Sequence, residues 1–339
     1  MLDMPQILLV KTSSMGDVIH NLPIIADIRA HYPDAHFDWM VEESFAEIPR
    51  LHPQVRNTIP VAVRRWRKSL LHRNTWHEIA ELKKRLSPTT YDLIIDTQGL
   101  LKSALLAQFS HGDIHGMDYH SAREPIASFF YKQKHHVAKQ QHAVSRNRAL
   151  AALALHYPIP TSAPDYGLAA TSLQSLPLAL PAHYVVGLHG TSRDSKLWPI
   201  SHWVALAKHL KEAGLSLVLP WSNPAEEQRA KSIAEQASNA LVLPKLKLTP
   251  LATILAHAQF NIGVDTGLMH LSTALDKPSI AIYTDTNPEY TGVMGGGNNA
   301  AINIGGKAQT PSAEDVFDLA RKFISKDFIN KDYINKDTP

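Results

Sequence analysis

The chain has 339 residues, and because single hydrophobic cores usually stop growing near ~250–300 residues, two domains are expected. Its composition, 44% hydrophobic and 19% charged, is that of a globular protein, and a formal net charge of +3 is too small to indicate nucleic-acid binding. The absence of cysteine excludes disulfides, thiolate nucleophiles and cysteine-based zinc sites. No secretory signal is recognisable, and no apolar run approaches the ~20 residues of a transmembrane helix, so we expect a cytoplasmic protein.

The first half of the chain alternates short apolar runs with longer amphipathic ones, which is the pattern of parallel βαβ units. The run at 7–10 is apolar throughout, as expected of a strand that is buried on both faces. A first doubly wound α/β domain is therefore expected at 1–160. Its predicted strands are 7–10, 36–41, 58–63 and 91–96, and its predicted helices are 18–31, 76–86, 100–109 and 145–156.

Proline marks the division between the two halves. Prolines recur between 158 and 181 among Ser, Thr and Ala, which indicates a linker at 161–182. The same rhythm then resumes in a second α/β domain at 183–325, and the short repeat at 326–339 predicts a disordered or loosely helical tail. The predicted strands of the second domain are 184–188, 215–219, 260–264 and 279–283, and its predicted helices are 201–213, 225–236, 268–275 and 313–324.

Ligands of doubly wound sheets bind beyond the carboxyl ends of the strands, so loops that directly follow strands are the candidate sites. The first is Lys-Thr-Ser-Ser-Met-Gly-Asp at 11–17, whose glycine permits close backbone approach and whose hydroxyls and amides suit anions or sugar hydroxyls. Asp17 lies at the helix start near Lys11, and the helix dipole and this cation would keep its carboxylate ionised, as a base requires. Capping of the helix is the alternative role for Asp17, and spacing leaves both open.

Two loops of the second half have the same strand, loop and helix context. Val-Asp-Thr-Gly-Leu-Met-His at 264–270 ends a strand on Asp265 and turns at Gly267, where the helix amides suit a phosphate or pyrophosphate. The loop at 189–199 offers neighbouring hydroxyls and Lys196, a cation that would neutralise a leaving group. The alternatives are a capping aspartate with a buried histidine for the loop at 264–270, and a solvated loop lysine for the loop at 189–199.

A cluster of cations, Arg-Arg-Trp-Arg-Lys at 64–68, follows a predicted strand of the first half. As a bare pattern it is typical of a solvated surface, but it also suits nucleic acid, acidic sugars or anionic lipid headgroups. The sequence has no Asp-x-Asp triplet for a metal-bound diphosphate, no His-Glu-x-x-His helix and no Gly-x-Ser-x-Gly elbow. The nineteen histidines lack ligand spacing, so no metal site is expected.

Taken together, these motifs resemble the lipopolysaccharide heptosyltransferases, and among them the branch that adds the first heptose to the Kdo-lipid A inner core. The resemblance runs over about 6–324, and the Lys-Thr-Ser-Ser-Met-Gly-Asp form of the first loop separates this branch from the one that adds the second heptose. The segments that carry it are 11–17, Phe-Asp-Trp-Met-Val-Glu-Glu at 37–43, 64–68, His-Gly-Met-Asp at 115–118, Ala-Arg-Glu-Pro at 122–125, Lys-His-His-Val-Ala-Lys-Gln-Gln-His-Ala-Val at 134–144 and Val-Asp-Thr-Gly-Leu-Met-His-Leu at 264–271.

The resemblance implies a GT-B fold, in which two Rossmann-like doubly wound domains face a central cleft, the first binding the acceptor and the second the donor. It implies inverting, metal-independent transfer of L-glycero-D-manno-heptose from ADP-heptose to the Kdo residue of Kdo2-lipid A, without a cofactor. Peripheral contact with the anionic cytoplasmic face of the inner membrane, through the cations at 64–68, is expected from the same acceptor. Nucleic acid is not an expected partner.

The roles of individual residues follow from the same resemblance. Asp17 is implied as the general base and Lys196 as the cation that assists the departing ADP. The implied donor contacts are Thr191, Ser192, Lys196, Glu226, Leu246, Asp265, Thr266, Gly267 and His270. The implied acceptor contacts are Ser13, Ser14, Met15, Gly16, Arg64, Arg65, Arg67, Lys68 and Arg123, whose cations suit carboxylates and phosphates.

The chain departs from the family pattern at a few positions. Leu246 replaces a methionine that is often found beside the adenine, Gly190 and Ser192 replace other residues, and 283–286 is not the usual Gly-Pro-Thr type of turn. Two alternatives to first-heptose transfer remain: a heptosyltransferase that acts on a later core acceptor, and a non-catalytic protein that binds a nucleotide sugar. The combination of Asp17 and Lys196 argues against the second, because binding alone requires no base.

Overall fold

Two six-stranded sheets, in which every paired strand is parallel, organise the computed structural model, which describes residues 4–168, 178–297 and 300–324. The chain divides into two compact units at 169/170. The α/β class and the two doubly wound sheets predicted from the sequence are therefore confirmed. The predicted tail at 326–339 lies outside the described residues, as does 169–177 within the predicted linker.

Six strands and seven helices form the described part of the first unit, residues 4–168. Its strands are β1 (Gln6–Val10), β2 (His36–Glu42), β3 (Val55–Val61), β4 (Thr90–Asp96), β5 (His111–Met117) and β6 (Gln133–His135). Its helices are α1 (Met15–Ile19), α2 (Pro23–His31), α3 (Glu47–Arg50), α4 (Val63–Trp66), α5 (Arg73–Leu86), α6 (Leu101–Ala107) and α7 (Ala143–Leu155). Short 3-10 helices occur at Glu43–Phe45 and Pro125–Phe130.

The second unit repeats this plan after residue 178. Its strands are β7 (Tyr184–Leu188), β8 (Ser216–Leu219), β9 (Ala240–Val242), β10 (Asn261–Val264), β11 (Ser279–Tyr283) and β12 (Ala301–Gly305). Its helices are α8 (Ile200–Glu212), α9 (Pro224–Ala234), α10 (Leu248–His257), α11 (Gly267–Ala274) and α12 (Ala313–Ala320).

The two sheets have the same topology. Strand order is β3-β2-β1-β4-β5-β6 in the first and β12-β11-β10-β7-β8-β9 in the second. In each, the direction of winding reverses between the first and fourth strands, so the loops after β1 and β4, and those after β7 and β10, flank a crevice at the carboxyl edge. The sequence motifs indicated the loops after β1, β7 and β10 as candidate sites, but not the loop after β4.

The predicted helix at 18–31 is wrong as a single element. The structure has two helices, because Pro23 occupies the first turn of α2, where its missing N–H is tolerated, whereas it would break a continuous helix. The predicted strand at 58–63 is also displaced: β3 begins at Val55, and α4 already begins at Val63. The polar start of β3 is explained by Asp38, which pairs with Arg56 at 3.1 Å.

Residues 161–168, which were assigned to the linker, pack onto the first unit. The Arg148 guanidinium forms a bidentate pair with Asp27 at 2.7 and 2.8 Å and also donates to the backbone oxygen of Ser162 at 2.6 Å. The Arg148 side chain is 6% exposed and that of Asp27 is 10% exposed, and Tyr166 is 3% exposed. The first unit therefore extends beyond residue 160 to the end of this segment.

Arg148→Ala is expected to destabilise the first unit by about 3–5 kcal/mol, because it leaves the largely buried Asp27 carboxylate without its partner. Arg321→Ala is the matched control, since the Arg321–Asp318 pair is more than half exposed on both sides and is worth about 0–1 kcal/mol. Denaturant unfolding followed by circular dichroism measures both. Equal effects of the two substitutions would contradict a structural role for the buried pair.

Candidate active site

The loop after β1 is held by a residue that follows β4. The backbone amides of Thr12 and Ser13 both donate to the Gln98 side-chain oxygen, at 2.9 and 3.0 Å. Gln98 is buried, and its backbone amide donates to the Asp96 carboxylate at 2.8 Å. The two loops that flank the winding reversal are therefore fixed to each other, which pre-organises the backbone of 11–14.

Lys11 is a buried cation beneath this loop. Its ammonium donates to the backbone oxygen of Thr97 at 2.8 Å, and the Trp39 indole donates to its backbone oxygen at 3.3 Å. Burial lowers the pKa of Lys11, and the nearby carboxylates of Asp17 and Asp96 act in the opposite direction. The proximity of Lys11 and Asp17 that their spacing suggested is therefore present in the fold.

Asp17 caps the start of α1, which is the role that the sequence offered as the alternative to a general base. The Ser14 amide and hydroxyl donate to the Asp17 carboxylate at 2.7 and 2.8 Å, and both bonds reach the same oxygen, Oδ2. Neither bond uses Oδ1, and the side chain is only partly buried. Capping therefore orients the carboxylate while one oxygen stays available to a hydroxyl, so the two roles are compatible. Met15 and Gly16 form the first residues of the same helix.

Lys102, which belongs to none of the sequence motifs, brings a further cation to the loop. Its ammonium, at the start of α6, donates to the Ser13 hydroxyl at 3.0 Å. Burial lowers the pKa of Lys102, and the positive charges of Arg64 and Arg67 lower it as well. The charges of Arg64 and Arg67 therefore act on the ammonium that donates to Ser13, and the exposed Lys68 follows Arg67.

Arg65 differs from its neighbours in the same cation cluster. Its guanidinium donates to Glu78 at 2.8 Å and to both carboxylate oxygens of Glu43, at 3.1 and 3.3 Å. These carboxylates neutralise its charge, so Arg65 has a structural role at the start of α5. Arg123 is exposed, and its charge contributes to the lowered pKa of Lys11, which places it within the field of the candidate loop.

In the second unit, Asp265 joins the loops that follow three neighbouring strands. Its carboxylate oxygen Oδ2 accepts from the Lys196 ammonium at 2.6 Å and from the Thr286 hydroxyl at 2.7 Å. Its backbone oxygen accepts from the Thr191 hydroxyl at 2.9 Å. The loops after β7, β10 and β11 therefore meet at one carboxylate, at the point where the winding of this sheet reverses.

The turn at 283–286 is fixed by the loop after β7. The Thr284 hydroxyl donates to the backbone oxygen of Ser195 at 2.9 Å, and the Ser195 hydroxyl donates to Asp285 at 2.7 Å. Next to Ser195, Lys196 has a side chain that is 13% exposed. Lys196 therefore follows a residue that is hydrogen-bonded to the turn after β11, and its own side chain is paired and largely buried, unlike that of a solvated loop lysine.

The start of α11 completes the same edge. Thr266 is the N-cap in extended conformation, and Gly267 is the first helical residue, so the first amides of this helix lack partners within it. His270 lies one turn further in and is 6% exposed. Ser192 is exposed on the neighbouring loop. This combination of helix amides, hydroxyls and Lys196 suits a diphosphate.

Glu226 lies at the same edge, beyond β8. Its Oε2 accepts from the backbone amide and the hydroxyl of Ser222, both at 2.7 Å. The side chain crosses Gly190 so closely that a Cβ at position 190 would lie 2.7 Å from its Cδ. The glycine that departs from the family pattern therefore makes room for this carboxylate. Leu246 follows β9, next in the sheet, and is half-buried.

Comparison with known proteins identifies the family. Residues 79–320 match glycosyltransferase family 9 (heptosyltransferase). The chain is 48% identical over 299 residues to lipopolysaccharide heptosyltransferase 1 of Escherichia coli strain K12, covering 88% of this chain and 92% of that protein. It is also 48% identical to the lipopolysaccharide heptosyltransferase 1 of Pseudomonas aeruginosa, covering 86% of this chain and 81% of that protein. This chain belongs to glycosyltransferase family 9.

Solved structures agree with this assignment. The E. coli heptosyltransferase WaaC with ADP superposes with a TM-score of 0.85 and 44% identity, covering 94% of this chain and 99% of that one. The same enzyme with ADP-2-deoxy-2-fluoro heptose gives a TM-score of 0.83. E. coli heptosyltransferase II, at 22% identity and a TM-score of 0.74, shares the fold. The chain is thus a heptosyltransferase of the GT-B fold, as the resemblance implied.

Three residues near the carboxyl edges of the sheets were not predicted from the sequence: Gln98, Lys102 and Thr286. Each lies shortly after a strand, which was the available signal, but none belongs to a motif that carries chemistry by itself.

Within the described ranges, no helix is both long and apolar enough to span a bilayer.

Proposed function

We propose that this heptosyltransferase transfers L-glycero-D-manno-heptose from ADP-heptose to the Kdo residue of Kdo2-lipid A, with inversion and without a metal ion. The observation that carries the proposal is the Asp17 carboxylate, oriented by Ser14 through Oδ2 alone. The similarity to heptosyltransferase 1 over most of the chain supports the choice of acceptor, and the ADP of the WaaC structures supports the choice of donor.

The proposed reaction is a single displacement on the acceptor side. Asp17 Oδ1 removes the proton of a Kdo hydroxyl while that oxygen attacks the anomeric carbon of the heptose. A new C–O bond forms as the bond from the same carbon to the diphosphate breaks, and ADP leaves with the bonding electrons. Because attack and departure occur on opposite faces, the anomeric configuration is inverted, and one positioned carboxylate is enough.

Departure of ADP requires stabilisation of negative charge, for which we propose Lys196. In the structure its ammonium pairs with Asp265, and we propose that it also reaches the phosphate oxygen from which the sugar departs. The hydroxyls of Thr191 and Ser192 and the amides at the start of α11 would hold the rest of the diphosphate. This arrangement supplies positive charge and N–H donors where a metal would otherwise be required.

The proposal is tested by measuring ADP release from ADP-heptose with two acceptors, Kdo2-lipid A and a core that already carries heptose. Release with Kdo2-lipid A is expected, unchanged by EDTA, with an inverted anomeric centre in the product by NMR. Release with only the second acceptor would assign the enzyme to a later step of the core. Binding of ADP-heptose without release to either acceptor would indicate a protein that has lost catalysis.

Gly190→Ala is expected to lower donor affinity roughly tenfold, about the value of one charge-assisted hydrogen bond. The added Cβ displaces the Glu226 carboxylate, which we propose contacts the adenosine ribose. Gly306→Ala is the control, because its Cβ would meet its nearest neighbour at an ordinary 3.4 Å. Calorimetric titration with ADP measures both, and unchanged affinity of Gly190→Ala would remove Glu226 from the donor site.

A further inference from the structure

The backbone amides of the loop at 11–14 are not available to an anionic ligand. The Lys11 amide donates to a backbone oxygen of β2 at 3.2 Å, and the Ser14 amide donates to the Asp17 carboxylate at 2.7 Å. The two amides between them both donate to the Gln98 side chain. Negative charge on an acceptor that enters this loop must therefore be recognised by side chains, and cations suit it best.

Arg146, in the first turn of α7, is a partly buried cation without an acidic partner in the described part of the chain. Its Nη2 atom donates to the backbone oxygen of Ser121 at 2.6 Å and to the Met117 sulfur at 3.1 Å. Both acceptors are uncharged. Its Nε atom is buried and has no hydrogen-bond partner among residues 4–168, 178–297 and 300–324.

The fold places Arg146 beside the loop that bears Asp17. The next residue, Asn147, is buried, and its side chain donates at 3.2 Å to the backbone oxygen of His20, the C-cap residue of α1. The start of α7 is thus attached to the end of the helix that contains Asp17. Burial lowers the pKa of Lys11, and the positive charge of Arg146 lowers it further, so the two cations lie in one region.

A positive charge at this place costs free energy unless an anion compensates it. Burial disfavours the charged guanidinium and lowers the pKa of Arg146. The first amides of α7 add positive partial charge, and no acidic residue lies in its first turn. Arg148, on the same helix, shows the ordinary solution, because it forms a bidentate pair with Asp27. For Arg146 no described residue supplies such a carboxylate, so the compensating anion would have to arrive with a ligand.

We propose that Arg146 determines acceptor specificity by binding a carboxylate of the acceptor sugar. The inference rests on the proposed function, in which the sugar that accepts the heptose is Kdo, a sugar acid. A guanidinium suits this group because it keeps its charge and presents several N–H donors in one plane. The acceptor is then held at two points, with its carboxylate at Arg146 and its reacting hydroxyl at Asp17.

The partial burial of Arg146 is what makes it selective. Arg123 and Lys68 are exposed and stay hydrated with or without a ligand, so an acceptor that lacks a carboxylate would cost them little. An uncharged group placed against Arg146 displaces water from the guanidinium without compensating its charge. A site of this kind rejects the analogue that lacks the expected partner group.

The test compares kcat/KM for Kdo2-lipid A and for its carboxyl methyl ester. The wild type is expected to prefer the free acid about 10-fold to 100-fold, the value of one charge-assisted contact. Arg146→Met should use both forms at nearly the same low rate, with nearly unchanged affinity for ADP-heptose. Arg146→Lys, which keeps the charge but not the planar donors, should retain part of the preference. Comparison of two acceptors within one variant cancels any general loss of folded enzyme.

Lys102→Met and Arg123→Met are the comparison variants, because they remove other cations from the same region. Both should lower kcat/KM for the two acceptors alike and keep the preference for the free acid. Full retention of the preference by Arg146→Met would overturn the proposal, since a residue that only ties α7 to the loop after β5 affects both acceptors equally. Loss of the preference in Lys102→Met or Arg123→Met alone, or its absence from the wild type, would overturn it as well.

Failure of the proposed function would give a different result, because the wild type would then release no ADP with either form of Kdo2-lipid A. If a core that already carries heptose is the acceptor, the same comparison is made with that core and its methyl ester. If no acceptor supports release, calorimetric titration with free Kdo and its methyl ester, in the presence of ADP, compares affinities instead. In each case a preference for the free acid that Arg146→Met removes supports the inference, and a preference that it keeps contradicts it.

Discussion

Asp17→Asn is expected to lower kcat about 100-fold to 10,000-fold while the affinity for ADP-heptose stays nearly unchanged. The asparagine oxygen still accepts the hydrogen bond that Ser14 donates in the native protein, so α1 and the loop before it should keep their structure. What is lost is the ability to take a proton from the acceptor hydroxyl. Steady-state ADP release and calorimetric titration of the donor measure the two quantities.

Ser14→Ala separates orientation from base chemistry. It removes the hydroxyl that donates to Oδ2 at 2.8 Å but leaves the Ser14 amide and the Asp17 carboxylate in place. We expect kcat to fall far less than in the asparagine variant. Near-normal turnover of Asp17→Asn in the presence of EDTA would refute the assignment of Asp17 as the base. An equal fall in kcat in both variants would indicate that Asp17 serves only to cap α1.

Lys196→Met is expected to lower kcat about 100-fold to 1,000-fold, the usual effect of removing a preorganised group that stabilises developing negative charge. The methionine keeps much of the volume of the side chain in its largely buried position but leaves the departing diphosphate without this cation. Thr286→Val is the control, because it removes the other hydrogen bond to Asp265 Oδ2 and spares the Lys196–Asp265 pair.

The double variant Lys196→Met/Asp265→Asn identifies the cause of the loss. If Lys196 serves only to neutralise Asp265, removal of that charge should restore turnover. If Lys196 stabilises the leaving group, the double variant should remain as slow as Lys196→Met. Restored turnover would therefore contradict the proposed role of Lys196, whereas donor affinity reports separately on any rearrangement of the loop after β10.

The strands that define both crevices were predictable because they are buried on both faces. β1, β4, β7 and β10 each contain a short, nearly continuous apolar run. Strands at or next to a sheet edge lack that signal: β5, next to the edge, begins with His111 and Gly112, and the edge strands β6 and β12 are Gln-Lys-His and a half-exposed run. The helix α10 was missed for another reason, since it carries apolar residues over most of its surface and follows a short strand that was also missed.

Only those contacts of the candidate site that lie within one short motif were predictable from the sequence. Asp17 and Ser14 are three residues apart, so their pairing follows from a helix start, whereas Gln98 reaches Ser13 across 85 positions of sequence. Arg64 and Arg65 show that even neighbouring residues can have contacts that the sequence does not reveal. They are adjacent and alike in the sequence, yet the fold directs Arg65 to Glu43 and Glu78, whereas the Arg64 guanidinium lies over the Phe45 ring, 5.0 Å from its centroid.

The divided use of the Asp17 carboxylate has an evolutionary consequence. If Oδ1 acts as the proposed base while Oδ2 supports the helix, substitutions at this position are subject to two separate selective pressures. A descendant that no longer transfers sugar but still needs a folded first unit would retain selection for an acceptor of the Ser14 hydrogen bond alone. Asparagine at this position, accompanied by an intact serine three residues earlier, would then be the genomic signature of a gene that has exchanged catalysis for binding.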